Sequence, residues 1–377
     1  MTVHLVTGAT GFVGGALVLE LLDRTDDEVI ALVRGRDQAE AAARLRTALP
    51  AMARGYARTD LAEPIASRVA AVCGDITEPG CGVDTARAPR ATQVWHTAAS
   101  LRYEERHRSE IERHNVDGTR HVLDLARGAR AEVFNQISTA YVTGARTGLM
   151  LEAPVTDLTR ANNCYEETKI LGERMVAAAG RDMRVRILRP GVVIGHSRTG
   201  HGLNWSGMYG FLRSLQLLRE AGRRRFGVDP DGLRLRFRAE RDIEINLVPI
   251  DHVARLAVSI ATSDSPGTYF HLTNATAPTV GETLTAVTAL LGFGDPIWST
   301  DTSRFTPLEL AIDSEVGFYR AYLNHGKRFD LTNTRAVDAR ADRGVPLPRH
   351  ELTRYLRYYL TARRNQPGAS WRLPLAG

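Results

Sequence analysis

The stretch VHLVTGATGFVGGALVLELLDR, residues 3–24, decides the fold. VHLVT reads as a short buried strand, GATGFVGG as a glycine-rich turn, and ALVLELLDR as the amphipathic helix behind it. Gly8, Gly11 and Gly14 form GxxGxxG rather than the GxGxxG dinucleotide fingerprint, but the physical tasks are the same. The turn must be tight, the backbone must approach a pyrophosphate closely, and the helix must pack hard on the strand. The helix N-terminus then offers amide donors to phosphate.

The next strand, EVIALV, ends at Val33, where a site for NAD should carry Asp or Glu for the ribose 2′-hydroxyl. Its tip reads Arg34, Gly35, Arg36 instead. A guanidinium suits a 2′-phosphate, so NADPH is favoured over NADH. Further strands follow in RVAAVCGDI, TQVWHTAAS, AEVFNQIST and RVRILRP, with helical stretches at 108–127 and 163–179 between them. This alternation predicts an α/β fold, a doubly wound parallel (Rossmann) sheet.

Composition narrows the class. A chain of 377 residues exceeds the usual size of a single hydrophobic core, so a second lobe or domain is expected. Apolar residues at 43% and charged residues at 24% describe an ordinary globular protein. No stretch stays apolar long enough to span a membrane, and the start has no basic region leading into a long apolar run. A cytoplasmic protein is expected, with Cys73, Cys81 and Cys164 as reduced thiols and no metal site. The net charge of +6 gathers at Arg223, Arg224, Arg225, Arg234, Arg236, Arg238 and Arg241. Only Phe226 and Phe237 interleave there, which argues against nucleic acid. A solvated face, or a docking surface for an acidic partner or substrate phosphates, remains.

In NNCYEETKILGER, residues 162–174, Tyr165 and Lys169 stand one helical turn apart on one face. Asn163 caps this helix with Glu166 at the third position. An ammonium beside the phenol would lower the tyrosine's pKa. The bland alternative is a solvated surface pair.

TGATGFVGG, GDI, HTAA, HNVDGT, ISTAYV, YEETK and RPGVVIG occur in the order found in extended short-chain dehydrogenases/reductases, which the first half of the chain therefore resembles. HTAASLRYEE, NVDGTRHVLDLA, STAYVTGARTG and INLVPIDHVARL are similar to the branch of fatty acyl-CoA reductases and thioester reductase domains. The resemblance implies catalytic roles for Thr139, Tyr165, Lys169 and Asn115. For cofactor binding it implies Thr7, Gly8, Thr10, Gly11, Phe12, Val13 and Gly14, Arg34 and Arg36, and Asp75 and Ile76. Ala98, Ala99, Pro190, Val192 and Val193 belong to that set as well, and so do Tyr165 and Lys169, the latter toward the nicotinamide ribose. Ser100, Tyr103 and Tyr141 are the candidates to border the substrate, with a polar loop as the alternative at Tyr103, and His96 is expected to pack beneath the cofactor rather than act as an acid. Cys164, His196 and His201 receive no role.

The chemistry follows from the residue types. Hydride reaching a carbonyl carbon leaves charge on oxygen, which positioned donors must meet. Tyr165 supplies the proton, Thr139 a second hydrogen bond, and Lys169 the charge that tunes the phenol. A thioester would give a hemithioacetal, then an aldehyde and a thiol. The leading reading is an NADPH-dependent reductase of an acyl thioester on CoA or an acidic carrier protein, yielding an aldehyde or, after a second hydride, an alcohol. A ketoreductase, hydroxysteroid-like dehydrogenase or sugar epimerase is the runner-up, and a catalytically silent nucleotide-binding module the third reading.

Residues 1–195 are assigned to the nucleotide-binding domain, completed by about 243–275; residues 196–242 and 276–377 are assigned to a mostly helical substrate lobe. A cleft between the two is the expected site. Oligomeric state is left open.

Overall fold

A computed structural model describes residues 2–83, 88–203 and 207–364, apart from the side chains of Arg223, Arg224, Arg225, Phe318, Arg363 and Arg364. In the N-terminal half, β1 (Val3–Thr7) runs into α1 (Phe12–Arg24), followed by β2 (Glu28–Val33), α2 (Gln38–Gly55), α3 (Ala62–Arg68) and β3 (Val69–Cys73). The chain then crosses to β4 (Gln93–His96), α4 (Arg108–Glu112), α5 (Gly118–Gly128), β5 (Val133–Ile137), β6 (Gly148–Met150), α6 (Cys164–Ala178) and β7 (Arg184–Pro190). After β8 (Val192–Ile194) come α7 (Met208–Arg225), β9 (Arg236–Phe237), β10 (Leu247–Pro249), α8 (Ile250–Ala261) and β11 (Tyr269–Leu272). The end of the chain holds α9 (Val280–Leu290), β12 (Ile297–Trp298), α10 (Pro307–Glu315), α11 (Arg320–Asn324), β13 (Lys327–Phe329), α12 (Thr332–Val337) and α13 (Arg349–Arg364).

Seven strands form one sheet in the order β11-β7-β5-β4-β1-β2-β3, every pairing parallel. A parallel sheet needs both faces covered, and alternate residues of β1 show how that is met. Val6 packs with Leu17, Val18, Leu49 and Val253, from α1, α2 and α8. Its neighbour Leu5 points the other way, into Val122, Leu125, Val176 and Ile187, from α5, α6 and β7. The doubly wound sheet expected from the sequence is present, and so is the mostly helical second lobe. That lobe has its own apolar cluster, in which Leu212 and Leu215 of α7 meet Leu284 and Val287 of α9 and Leu352, Tyr355 and Leu356 of α13.

Two local features differ from the sequence reading. The stretch read as one helix over 108–127 is interrupted by a wider π-type turn at Arg113–Asp117. The strand in INLVP does not join the main sheet: β10 pairs with β8 in a separate two-stranded unit. The outer edge of β7 is taken by β11, and at Gly191, just past β7, a Cβ would stand 2.5 Å from Asn246 Oδ1, so glycine lets the chain before β10 pass close by. Among the described residues no helix is long and apolar enough to cross a membrane, and the three cysteines are free.

Candidate active site

The order of the sheet reverses between β1 and β4, whose C-terminal residues Thr7 and His96 lie in register. Crevices at such a reversal are where doubly wound sheets bind ligands. A cleft of about 900 Å³ opens there and continues into the second lobe.

The glycine loop forms its floor. Gly8 has φ +74°, and a Cβ on it would lie 2.6 Å from Thr97 Oγ1 and 2.9 Å from the Ala98 amide. A Cβ on Gly14 would lie 2.3 Å from the Gly8 carbonyl, so helix and loop pack closer than any other residue allows. Gly11 is different: it is exposed, starts α1 with no side-chain cap, and a Cβ there would meet only the Gly8 carbonyl at 3.1 Å. The first turn of α1 carries no acidic residue, so its free amides face the cleft as an anion site. This cradle fits a dinucleotide.

Thr7, Thr10, Phe12, Val13, Asp75, Ile76, Ala98 and Ala99 line the same cleft, as do Pro190, Val192 and Val193. At the tip of β2, Arg34 lines the cleft, whereas Arg36 turns to Glu40 at 2.7 Å, its side chain 88% exposed, and does not. Arg44 of α2 takes the second cationic position, donating to the Arg34 carbonyl. Its place ten residues beyond the strand tip gave no sequence signal.

Thr139, Tyr165 and Lys169 all line this cleft. Thr139 follows β5, and its Oγ1 accepts from the Tyr141 amide at 3.2 Å, which leaves its hydrogen to donate. Lys169 Nζ donates to the Ile137 carbonyl at 2.8 Å, tying α6 to the end of β5. Below it Glu173 receives Ser138 Oγ at 2.6 Å and pairs with Arg189 at 2.7 Å, both partners almost wholly buried. The Tyr165 hydroxyl has no hydrogen-bond partner among the described residues. Burial, and then the neighbouring charge of Glu166, push it above the usual phenol range. The expected lowering by Lys169 is therefore not found. Burial brings Lys169 itself down from 10.5 to about 8, against the pull of Glu173.

Asn115 does not line the cleft. It sits in the π-type turn, its Oδ1 accepting from the Ser100 amide at 2.8 Å and its Nδ2 donating to the Ser100 carbonyl and to Thr168 Oγ1, both at 3.1 Å. It clamps the loop after β4 to α6. His96 is held between the hydroxyls of Thr7 and Thr119, each at 3.1 Å, and burial followed by the Lys169 charge lowers it to about 3. It is neutral and structural.

Ser100, Tyr103 and Tyr141 all border the cleft. Tyr141 also accepts from the Asn246 amide at 3.3 Å and meets the Tyr322 ring edge-on at 4.9 Å. Tyr322, from α11, was not foreseen; it donates its hydroxyl to Glu166 Oε1 at 2.7 Å. Glu166 is fully buried and also accepts from the Asn162 amide at 2.7 Å. Beyond Tyr322 the wall is apolar, with Met208, Phe211, Ile245, Val280, Leu284 and Leu323. In the arginine-rich segment, Arg236 and Arg238 are spent on Glu309 at 3.2 Å and Asp313 at 2.6 Å. Arg234 donates to the Asp295 carbonyl at 3.2 Å, Arg241 lies 3.9 Å from Asp242, and the side chains at 223–225 lie outside the described residues. Among the described residues no cluster of three or more His, Cys, Asp or Glu could hold a metal.

Residues 6–257 match the profile of the NAD-binding family described as Male sterility protein. The chain belongs to that family. The family model is an NAD-binding one, and the fold is shared with solved reductase domains. Among relatives of this Male sterility family chain, isonitrile lipopeptide synthase of Streptomyces coeruleorubidus is 30% identical over 73% of this chain and 18% of its own length. The L-2-aminoadipate reductase large subunit of Penicillium chrysogenum is 28% identical over 68% of this chain and 18% of its own. The chain thus spans about a fifth of these proteins. The terminal R domain of the myxalamid PKS-NRPS pathway superposes with TM-score 0.74 at 24% identity, over 96% of this chain and 91% of that one. A thiolation-reductase di-domain from an archaeal non-ribosomal peptide synthetase gives 0.71 at 20% identity, over 96% and 76%. These likenesses concern the fold.

Proposed function

We propose that this chain reduces an acyl thioester, carried by CoA or a carrier protein, to an aldehyde with NADPH. One observation carries the reading: a single cleft runs from the glycine cradle, past Thr139, Tyr165 and Lys169, into an apolar chamber of the second lobe. The cradle suits the pyrophosphate, and Arg34 with Arg44 offers two guanidinium forks to a 2′-phosphate, which favours NADPH. The apolar chamber suits an acyl chain. The relatives named as a lipopeptide synthase and an aminoadipate reductase, and the neighbour named as a thiolation-reductase di-domain, support a thioester on a carrier arm.

Reduced nicotinamide supplies the hydride. The chain's own residues manage the charge that follows. Thr139 and Tyr165 donate to the carbonyl oxygen, so that negative charge building there is met by preformed dipoles. Tyr165, kept protonated by its buried setting, gives up its proton as the oxygen becomes basic. Lys169 holds a positive charge behind it that lowers the cost of the nascent phenolate. The resulting hemithioacetal breaks its carbon–sulfur bond to leave aldehyde and thiol.

The test follows nicotinamide absorbance and free thiol together, with NADPH and S-acyl-CoA or acyl-carrier substrates against a panel of ketones. Thiol released one for one with the first NADPH oxidised is the expected result. Oxidation with ketones and no thiol release would overturn it.

A further inference from the structure

The half of the cleft built by the second lobe is apolar or uncharged except for Arg213. This residue sits on α7, three positions after Gly210, so both face the cleft from one side of the helix. It is half-buried, and its Nε is enclosed with no hydrogen-bond partner. Among the described residues it has no ion pair. Its neighbours in the lobe behave differently: Arg219 pairs with Asp231, Arg236 with Glu309, and Arg238 and Arg320 both with Asp313. Glu315, at the end of α10, accepts from Ser214 at 3.3 Å and not from Arg213.

A guanidinium half-withdrawn from water without a partner is costly, whereas one that awaits an oxyanion is a recognition element. The fork matches phosphate and carboxylate alike, and Met208, Phe211 and Leu284 around the chamber strengthen the attraction by excluding water. Resting on the thioester reading, we infer that Arg213 binds an oxyanion borne by the substrate itself, either the phosphate of the pantetheine arm or a carboxylate on the acyl group. It is a specificity residue that selects anionic thioesters, away from the reacting carbon.

Four substrates separate the sources: S-octanoyl-pantetheine, S-octanoyl-4′-phosphopantetheine, and the same two thiols carrying a 7-carboxyheptanoyl group. Arg213→Met, checked by thermal melting, should lose about tenfold or more in kcat/KM on the substrates that carry the recognised anion. It should lose less than about twofold on S-octanoyl-pantetheine. Arg213→Lys should recover part of the loss. A loss that follows the phosphate assigns the pantetheine arm; one that follows the carboxylate assigns the acyl end. An equal effect on all four substrates overturns the inference.

Calorimetric titration with 4′-phosphopantetheine and with suberate, NADPH present, reads the subsite without turnover. Binding that vanishes in Arg213→Met upholds it even where no thioester is reduced, in which case the thioester reading alone fails. Binding that persists in Arg213→Met, or absence of binding in the parent protein, overturns it.

Discussion

The hydroxyl of Tyr322 donates to the carboxylate of Glu166 at 2.7 Å, joining a residue of the second lobe to the neighbour of Tyr165 across 156 positions of sequence. The bond fastens α11 to the first turn of α6, so the wall of the substrate chamber and the proton donor are set by one contact. Glu166 is buried, and burial raises its pKa, which makes each donor to it valuable.

Tyr322→Phe should therefore destabilise the fold by about 1–3 kcal/mol, and Glu166→Gln by a similar amount. In a double-mutant cycle read by denaturant melts, the two changes should couple by about 1 kcal/mol or more. Additivity within about 0.5 kcal/mol would show that the contact contributes nothing.

Lys169 should give the rate an alkaline limb. Its folded pKa is about 8, so kcat/KM should fall as pH rises through that value, and Lys169→Arg, which keeps its charge, should flatten the limb. The stability effect has the opposite sign. The unfolded chain holds the lysine proton up to about 10.5, so stability grows with pH between about 8 and 10.5, and at pH 7 the buried charge is a burden. Lys169→Met should thus cost about a hundredfold or more in rate yet melt no lower than the parent at pH 7.

The glycines of the first loop should separate folding from binding. Gly14→Ala would push a Cβ to 2.3 Å from the Gly8 carbonyl, so it should lower the melting temperature and abolish nucleotide binding. Gly11→Ala meets only a 3.1 Å contact, so the protein should fold normally while its NADPH Kd rises about tenfold or more. Equal melting temperatures for the two variants would contradict this division.

Arg34→Asp and Arg44→Ala should each raise the KM for NADPH by about tenfold or more and leave that for NADH within about twofold. Arg36→Ala should change neither, because Arg36 is engaged by Glu40 outside the cleft. A large effect at Arg36 with none at Arg44 would reverse the assignment.

What the sequence revealed and what it concealed divides along the range of the interactions. The strands of the main sheet and the glycine loop were legible because each is fixed by a run of a few residues, such as VHLVT before GATG. The Asn163 cap was legible for the same reason, and its side chain does accept from the Glu166 amide at 3.0 Å. The Arg36–Glu40 pair joins residues four apart in sequence and needs no tertiary packing. Arg44, Tyr322 and Arg213 were hidden because only tertiary packing brings them to the cleft. The two-residue strands β9 and β12 are too short to leave a periodicity. The Tyr165 phenol differs from the sequence expectation for another reason: spacing gives the shared helix face with Lys169 but not the burial and the Glu166 charge that push the phenol up.

The central claim is that Tyr165 protonates the oxygen that the hydride leaves charged, on a carbon bound to sulfur. Tyr165→Phe tests it most directly, with NADPH consumption and thiol release measured together on an acyl-CoA substrate and NADPH binding measured in parallel. The account predicts a loss of about a hundredfold or more in both rates with NADPH affinity unchanged. Rates within a few-fold of the parent protein would contradict it.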